Sequence, residues 1–123
     1  MREIKFRAYE KKTKKMRLVA GVDYVLKKIE IWVDLKAVPL DFSEVELMQY
    51  TGLKDKYYGE LYEGSIGYDA HNDTYGVVRF SDGKFVYEWE NICEDLFEVA
   101  GDIEIRGNKF DNPELLEGCY ETP

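Results

Sequence analysis

Alternation of apolar and polar residues dominates the chain. In "EIKFRAY", Ile4, Phe6 and Ala8 alternate with Glu3, Lys5 and Arg7, the period of a strand with one buried face. "KKMRLVAGVDY" follows as a returning strand interrupted at Gly21. "KIEIWVDLKAV" then sets Ile29, Ile31, Val33 and Leu35 on one face and Glu30, Trp32, Asp34 and Lys36 on the other, so the first third predicts three antiparallel strands. Pro39 and "PLDFSE" break the alternation, because proline donates nothing to a central ladder and Asp and Ser favour turns. A loop or segment boundary is expected there.

Beyond the break, "VELMQYT" predicts a strand with Leu47, Gln49 and Thr51 on one face and Met48 and Tyr50 on the other. "GLKDKYYGE" should turn the chain, with Gly52 and Gly59 free to take positive φ. The clearest hairpin is "YGVVRF" and "KFVYEW" around the Asp82-Gly83 turn. "NICEDLFEVAGDIEIRG" mixes two periods: Asn91 with Glu94 resembles a helix start, whereas Ile103 and Ile105 alternate with Asp102, Glu104 and Arg106. It is read as a helical turn followed by a strand. In "DNPELLEG", Asn112 as cap, Pro113 at the first helical position and Gly118 as stop predict one or two turns of helix. The expected fold is mainly β: a small, partly open barrel of antiparallel strands, SH3-like in its C-terminal half, with a short C-terminal helix. One domain over residues 1–123 is expected, with lobes at 1–38 (antiparallel strands) and 45–123 (barrel).

Composition supports the β reading, since ten Tyr, six Phe and two Trp suit pleated, half-buried surfaces. No apolar run approaches about 18 residues, and the N-terminus lacks the apolar stretch of a secretory signal. A cytoplasmic location is therefore expected, with no membrane association and with Cys93 and Cys119 as thiols. The net charge of −8 conceals an asymmetry: residues 1–36 carry eleven Lys or Arg against five Asp or Glu, and the remainder six against twenty. Lys11, Lys12, Lys14, Lys15 and Arg17 are thus candidate phosphate contacts for nucleic acid. The plainer reading makes "EKKTKK" a solvated hairpin tip whose lysines discourage sheet-to-sheet aggregation.

Candidate chemistry is sparse. The single histidine, His71, limits general-base catalysis, and the phosphate-loop, dinucleotide and nucleophile-elbow motifs are absent. Asp69, His71 and Asp73 fall at alternate positions, as in a calcium loop, but Thr74 stands where that loop needs Gly and Phe80 where it needs Glu. These three are read as a polar hairpin loop, with a weak ion site or hydrolytic metal centre as the lesser alternatives. No catalytic residue, metal or cofactor is expected. Tyr57, Tyr58, Tyr62, Tyr75 and Trp89 are the candidate binding residues, as exposed rings that grip a protein partner. The surrounding Glu60, Glu63, Asp69, Asp73, Glu88 and Glu90 disfavour nucleic acid there. The plainer reading again has these rings simply covering the barrel. An N-terminal edge strand leaves homo-oligomers open.

"REIKFRAY" (Arg2 to Tyr9), "LMQYTGLKDK" (Leu47 to Lys56), "YEGSI" (Tyr62 to Ile66), "GVVRF" (Gly76 to Phe80) and "RGNKFDNPELLE" (Arg106 to Glu117) together resemble the YopX family of phage and prophage proteins. The family usually has Trp at Tyr9, Asn-Gly at Tyr58-Gly59 and Gly-Asp at Gly64-Ser65. Ser65 replaces only part of the hydrogen bonding of Asp, so that turn should persist but be held less firmly. The resemblance implies a mainly β fold and a temperate phage as source, in a bacterial host cell, with no established activity and no functional residues to carry over. A host or phage protein is the expected partner, and the expected function is that of a non-enzymatic accessory protein.

Overall fold

The structure is a computed structural model that describes residues 3–117; Gly118 and Cys119, expected as a helix stop and a thiol, lie outside them. The strands are β1 (Phe6–Glu10), β2 (Lys15–Asp23), β3 (Lys28–Val33), β4 (Lys36–Asp41), β5 (Val45–Lys54), β6 (Glu60–Tyr62), β7 (Ser65–Asp69), β8 (Thr74–Ser81), β9 (Lys84–Trp89), β10 (Ile92–Asp95) and β11 (Glu104–Asn108). One helical turn, α1 (Leu96–Val99), and three short 3-10 turns complete the described elements. The fold is mainly β, as expected; the strands build two antiparallel sheets and close no barrel. Among the described residues no helix is long and apolar enough to cross a membrane.

The chain divides into two compact units, with the change between Gln49 and Tyr50, inside β5. In the first unit the strand order is β4-β3-β2-β1-β5, a meander in which β5 returns to pair with β1, Ala8 opposite Leu47. Its core is Ala8, Ile29, Ile31 and Val45, with Val19, Val22, Val38 and Leu40 packed around them. Of the inward residues of "EIKFRAY" and "KIEIWV", Ala8, Ile29 and Ile31 bury as their alternation predicts, Phe6 and Val33 are half-buried, and Ile4, which precedes β1, is exposed. The interruption expected at Gly21 is a bulge, because the β2–β3 register shifts between Val19 and Gly21.

Two expectations for this unit are corrected. "KIEIWVDLKAV" is not one strand but a hairpin: Val33 pairs with Lys36, and Asp34 and Leu35 form its turn with φ of 48° and 69°. Leu35 is consequently 96% exposed instead of sharing a face with Ile31. Pro39 sits within β4, opposite Glu30, and the break expected over "PLDFSE" comes three residues later, at the 3-10 turn Phe42–Glu44 between β4 and β5. β4 is an edge strand, where a missing N–H costs no ladder bond.

The second unit is built on a sheet of order β10-β9-β8-β7-β11. The Asp82-Gly83 turn joins β8 to β9 as predicted, both residues at positive φ and Ser81 opposite Lys84. Leu61, Val78, Tyr87, Leu96, Ala100 and Ile103 form its core. The Tyr87 hydroxyl donates to the Gly67 carbonyl at 3.0 Å, and its ring lies over the Gly67–Gly76 cross-strand pair. A Cβ on Gly76 would come within 2.5 Å of that ring, so glycine is required for the packing and not for the backbone. The helical turn begins four residues later than Asn91–Glu94 suggested, with Asp95 as cap accepting from the Phe97 N–H at 3.1 Å. The C-terminal helix is a 3-10 turn, Pro113–Leu116, without a side-chain cap. Asn112 is used elsewhere: its Oδ1 accepts from the Asn108 N–H at 3.3 Å.

Candidate functional site

The most distinctive local structure in the second unit is the loop from Asp55 to Gly59. Asp55 is 7% exposed, and its Oδ1 accepts from the N–H groups of Tyr57 at 2.9 Å and Gly59 at 2.7 Å. Its Oδ2 accepts from the Ile105 N–H at 2.8 Å, which ties the loop to β11. One backbone bond closes the loop, Asp55 N–H to Gly59 O at 2.8 Å, and another ties it to the residue before β11, Lys56 N–H to Ile103 O at 3.0 Å. Gly59 is closely packed: a Cβ there would lie 3.1 Å from Ile105 and 3.2 Å from the Asp55 carboxylate. Positive φ falls on Tyr58, at 67°, and not on Gly59.

The loop presents Tyr57 and Tyr58, 65% and 83% exposed, with Lys56 Nζ 5.2 Å from the Tyr57 ring. The other candidate rings occupy different settings. Tyr62 is buried and packs at 5.4 Å on Tyr50. Tyr75 is half-buried against Tyr68 at 5.2 Å, and Arg106 lies 4.4 Å from the other ring of that pair. Trp89 packs against the core and donates from Nε1 to Glu94 at 2.8 Å. Of the five, only Tyr57 and Tyr58 combine adjacency with high exposure.

The candidate phosphate contacts lie on the β1–β2 hairpin tip, where Lys14 takes positive φ and its N–H returns to Glu10 O at 2.8 Å. Lys11 pairs with Glu46 at 3.5 Å and donates to Ser43 O at 3.1 Å, and Arg17 pairs with Glu10 at 3.1 Å. Lys12, Lys14 and Lys15 point into solvent. A cleft of about 460 Å³ between Glu10, Lys12, Leu40 and Glu44 is lined by both signs of charge.

Asp69, His71 and Asp73 form the β7–β8 hairpin loop. The Asp69 carboxylate accepts from the His71 N–H at 2.9 Å and from Asn72 Nδ2 at 2.8 Å, and Asp73 accepts from the Tyr68 hydroxyl at 2.6 Å. That hydrogen bond holds the Tyr68 phenol above its ordinary pKa. Likewise the bond to Glu104 raises Arg106, and the bond to Asp41 raises Lys28. Among the described residues no three His, Cys, Asp or Glu side chains converge as a metal site would require.

Asp55 is the residue that pattern reading misses; its signal is an acid four residues before a glycine in "DKYYG". Two further family-like blocks are also turn chemistry. Gly64 has φ of 83°, and Ser65, 1% exposed, accepts from the Tyr62 N–H at 3.0 Å, so the turn persists with Ser in place of Asp. Asn108 Oδ1 accepts from both Phe110 and Asp111 N–H at 2.9 Å, which makes "RGNKFDN" a self-bonded turn.

No curated protein matches the chain. Among solved structures, protein EF1440 from Enterococcus faecalis is similar, with a TM-score of 0.67 and 26% identity, over 95% of this chain and 100% of that one. A family model described as YopX protein matches residues 5–117. With nearly its whole length so matched, the chain belongs to the YopX family.

Proposed function

We propose that this is a non-enzymatic phage or prophage accessory protein that acts in the bacterial cytoplasm by binding another protein, with the Tyr57–Tyr58 loop as its binding element. The observation that carries the reading is the rigid display of two adjacent exposed tyrosines on a loop whose buried carboxylate accepts three backbone N–H groups. Aromatic rings held in place lose little conformational entropy on contact, and this favours them as anchors. Tyr58 also sits in the left-handed region, where the family usually has Asn, and a side chain retained at an unfavourable φ points to use outside the fold. Asp69 and Asp73 accept hydrogen bonds within the β7–β8 hairpin, and this supports reading that loop as structural.

The test compares immobilised wild-type protein with a Tyr57→Ala/Tyr58→Asn variant and a charge-matched control in host extract. A protein retained by wild type at several times the level seen with the variant and the control supports the reading. Equal retention by wild type and variant would refute the loop's role. Asn at position 58 suits the backbone there, so loss of retention would not reflect a broken loop.

A further inference from the structure

The two edges of the second unit's sheet are finished differently. At the β11 edge, the Asp55 carboxylate takes the Ile105 N–H and Lys56 donates to the Ile103 carbonyl, so that edge is closed by the chain itself. At the other edge, β10 pairs only with β9, and among the described residues no hydrogen bond from another segment reaches its outer side. Trp89 and Ile92 close the two-residue Glu90-Asn91 turn. The closing pair of such a ladder exchanges both its bonds, so Ile92 and Glu94 turn their backbone groups towards β9, and Cys93 turns its N–H and C=O outward.

Charge singles out the same edge. Residues 85–105 contain seven acidic residues and no Lys or Arg. Three of the seven are compensated, by Arg79 with Glu88 at 3.1 Å, Lys84 with Asp95 at 3.7 Å and Arg106 with Glu104 at 3.1 Å. Glu90, Glu94, Glu98 and Asp102 have no cationic partner among the described residues. Beside them, apolar groups stay in water: Phe97 is 76% exposed and Ile92 43%. Edge strands of natural sheets are commonly protected by lysines that repel further pairing; this one carries the opposite charge and repels only acidic strands.

We propose that β10 is a docking edge for a basic, extended segment of a partner protein, which adds to the sheet as a strand outside β10. Its backbone pairs with the outward groups of Cys93, and its Lys or Arg side chains lie on the face that carries Ile92 and Glu94, with their aliphatic stems over Ile92 and their charges at the acidic border. Backbone pairing supplies affinity and the acidic border selects the sign of charge. The surface is separate from the Tyr57–Tyr58 loop, and the inference stands whether or not that loop binds anything.

The probe is a peptide of alternating lysine and valine, compared with its glutamate–valine counterpart and with a version N-methylated at every amide, which keeps the charge but removes the backbone donors on both edges. Fluorescence anisotropy at low and physiological salt should show saturable binding of the lysine peptide alone. N-methylation, Cys93→Pro, or Glu90→Lys with Glu98→Lys should each weaken it by about tenfold or more, and amide exchange should slow in residues 92–95 on binding. Cys93→Pro removes only an outward donor, and an unchanged thermal midpoint will confirm that it folds. Equal binding of the N-methylated and parent peptides would reduce the effect to charge alone and overturn the added strand. Absence of saturable binding at low salt, or protection elsewhere in the chain, would overturn it as well.

Discussion

Asp55 shows how much one side chain organises. Three backbone N–H groups depend on its carboxylate, and a buried donor left without an acceptor is costly. Asp55→Ala should therefore lower stability by about 3 kcal/mol, read as a shift in the urea midpoint, and should loosen Tyr57 and Tyr58 together. Leu35 behaves oppositely. It is almost fully exposed and sits at φ 69°, a conformation that burdens any residue with a Cβ by about 1 kcal/mol. Leu35→Gly should raise stability by about 0.5–1 kcal/mol, because Asp-Gly suits the turn better than Asp-Leu does. A denaturation curve unchanged or shifted downward would contradict it. Neither residue announces its role by hydrophobicity: the pattern counts Leu35 as core and passes over Asp55 as one more surface acid.

At the scale of elements, local turn chemistry and cross-strand packing decide what alternation leaves open. The β8–β9 hairpin is legible because Asp-Gly fits a two-residue turn. The β3–β4 hairpin is not, because Asp34-Leu35 lacks the glycine and the apolar alternation runs on through the turn. Pro39 misleads because sequence does not reveal which strands lie at an edge. The Gly67–Gly76 pair reads as a weakness in two strands, yet Tyr87 fills the space. Gly76→Ala should cost about 2–3 kcal/mol, since the ring has nowhere to retreat; a thermal melt within experimental error of wild type would show that it does. In the β7–β8 hairpin the Tyr68 phenol has its pKa raised in the folded state by its bond to Asp73. Its contribution is complete below the pKa of unfolded tyrosine and is lost as pH rises through the higher folded value. Ultraviolet titration of wild type against Asp73→Asn should accordingly show the late ionisation of Tyr68 move back toward the ordinary range in the variant.

For the molecule as a whole, charge is divided unequally between the units. Residues 3–49 hold ten Lys or Arg and eight Asp or Glu, whereas residues 50–117 hold six and sixteen. An excess of one sign on a compact unit opposes its folding. Shortening the Debye length from about 30 Å to about 8 Å with salt should therefore raise the unfolding midpoint, and a fall would show that the local ion pairs outweigh the repulsion. The asymmetry is legible in sequence, and so is the mainly β class. The change of unit is not, because a break in alternation at Pro39 is a stronger signal than a change of neighbours within an uninterrupted strand. As far as Gln49, β5 lies against β1, and from Tyr50 its partner is β6. Anyone seeking to express either half by itself thus meets a seam with no spare residues. A cut a few residues beyond Gln49 takes from the second half the strand that pairs with β6, and a cut a few residues before it takes from the first half the partner of β1.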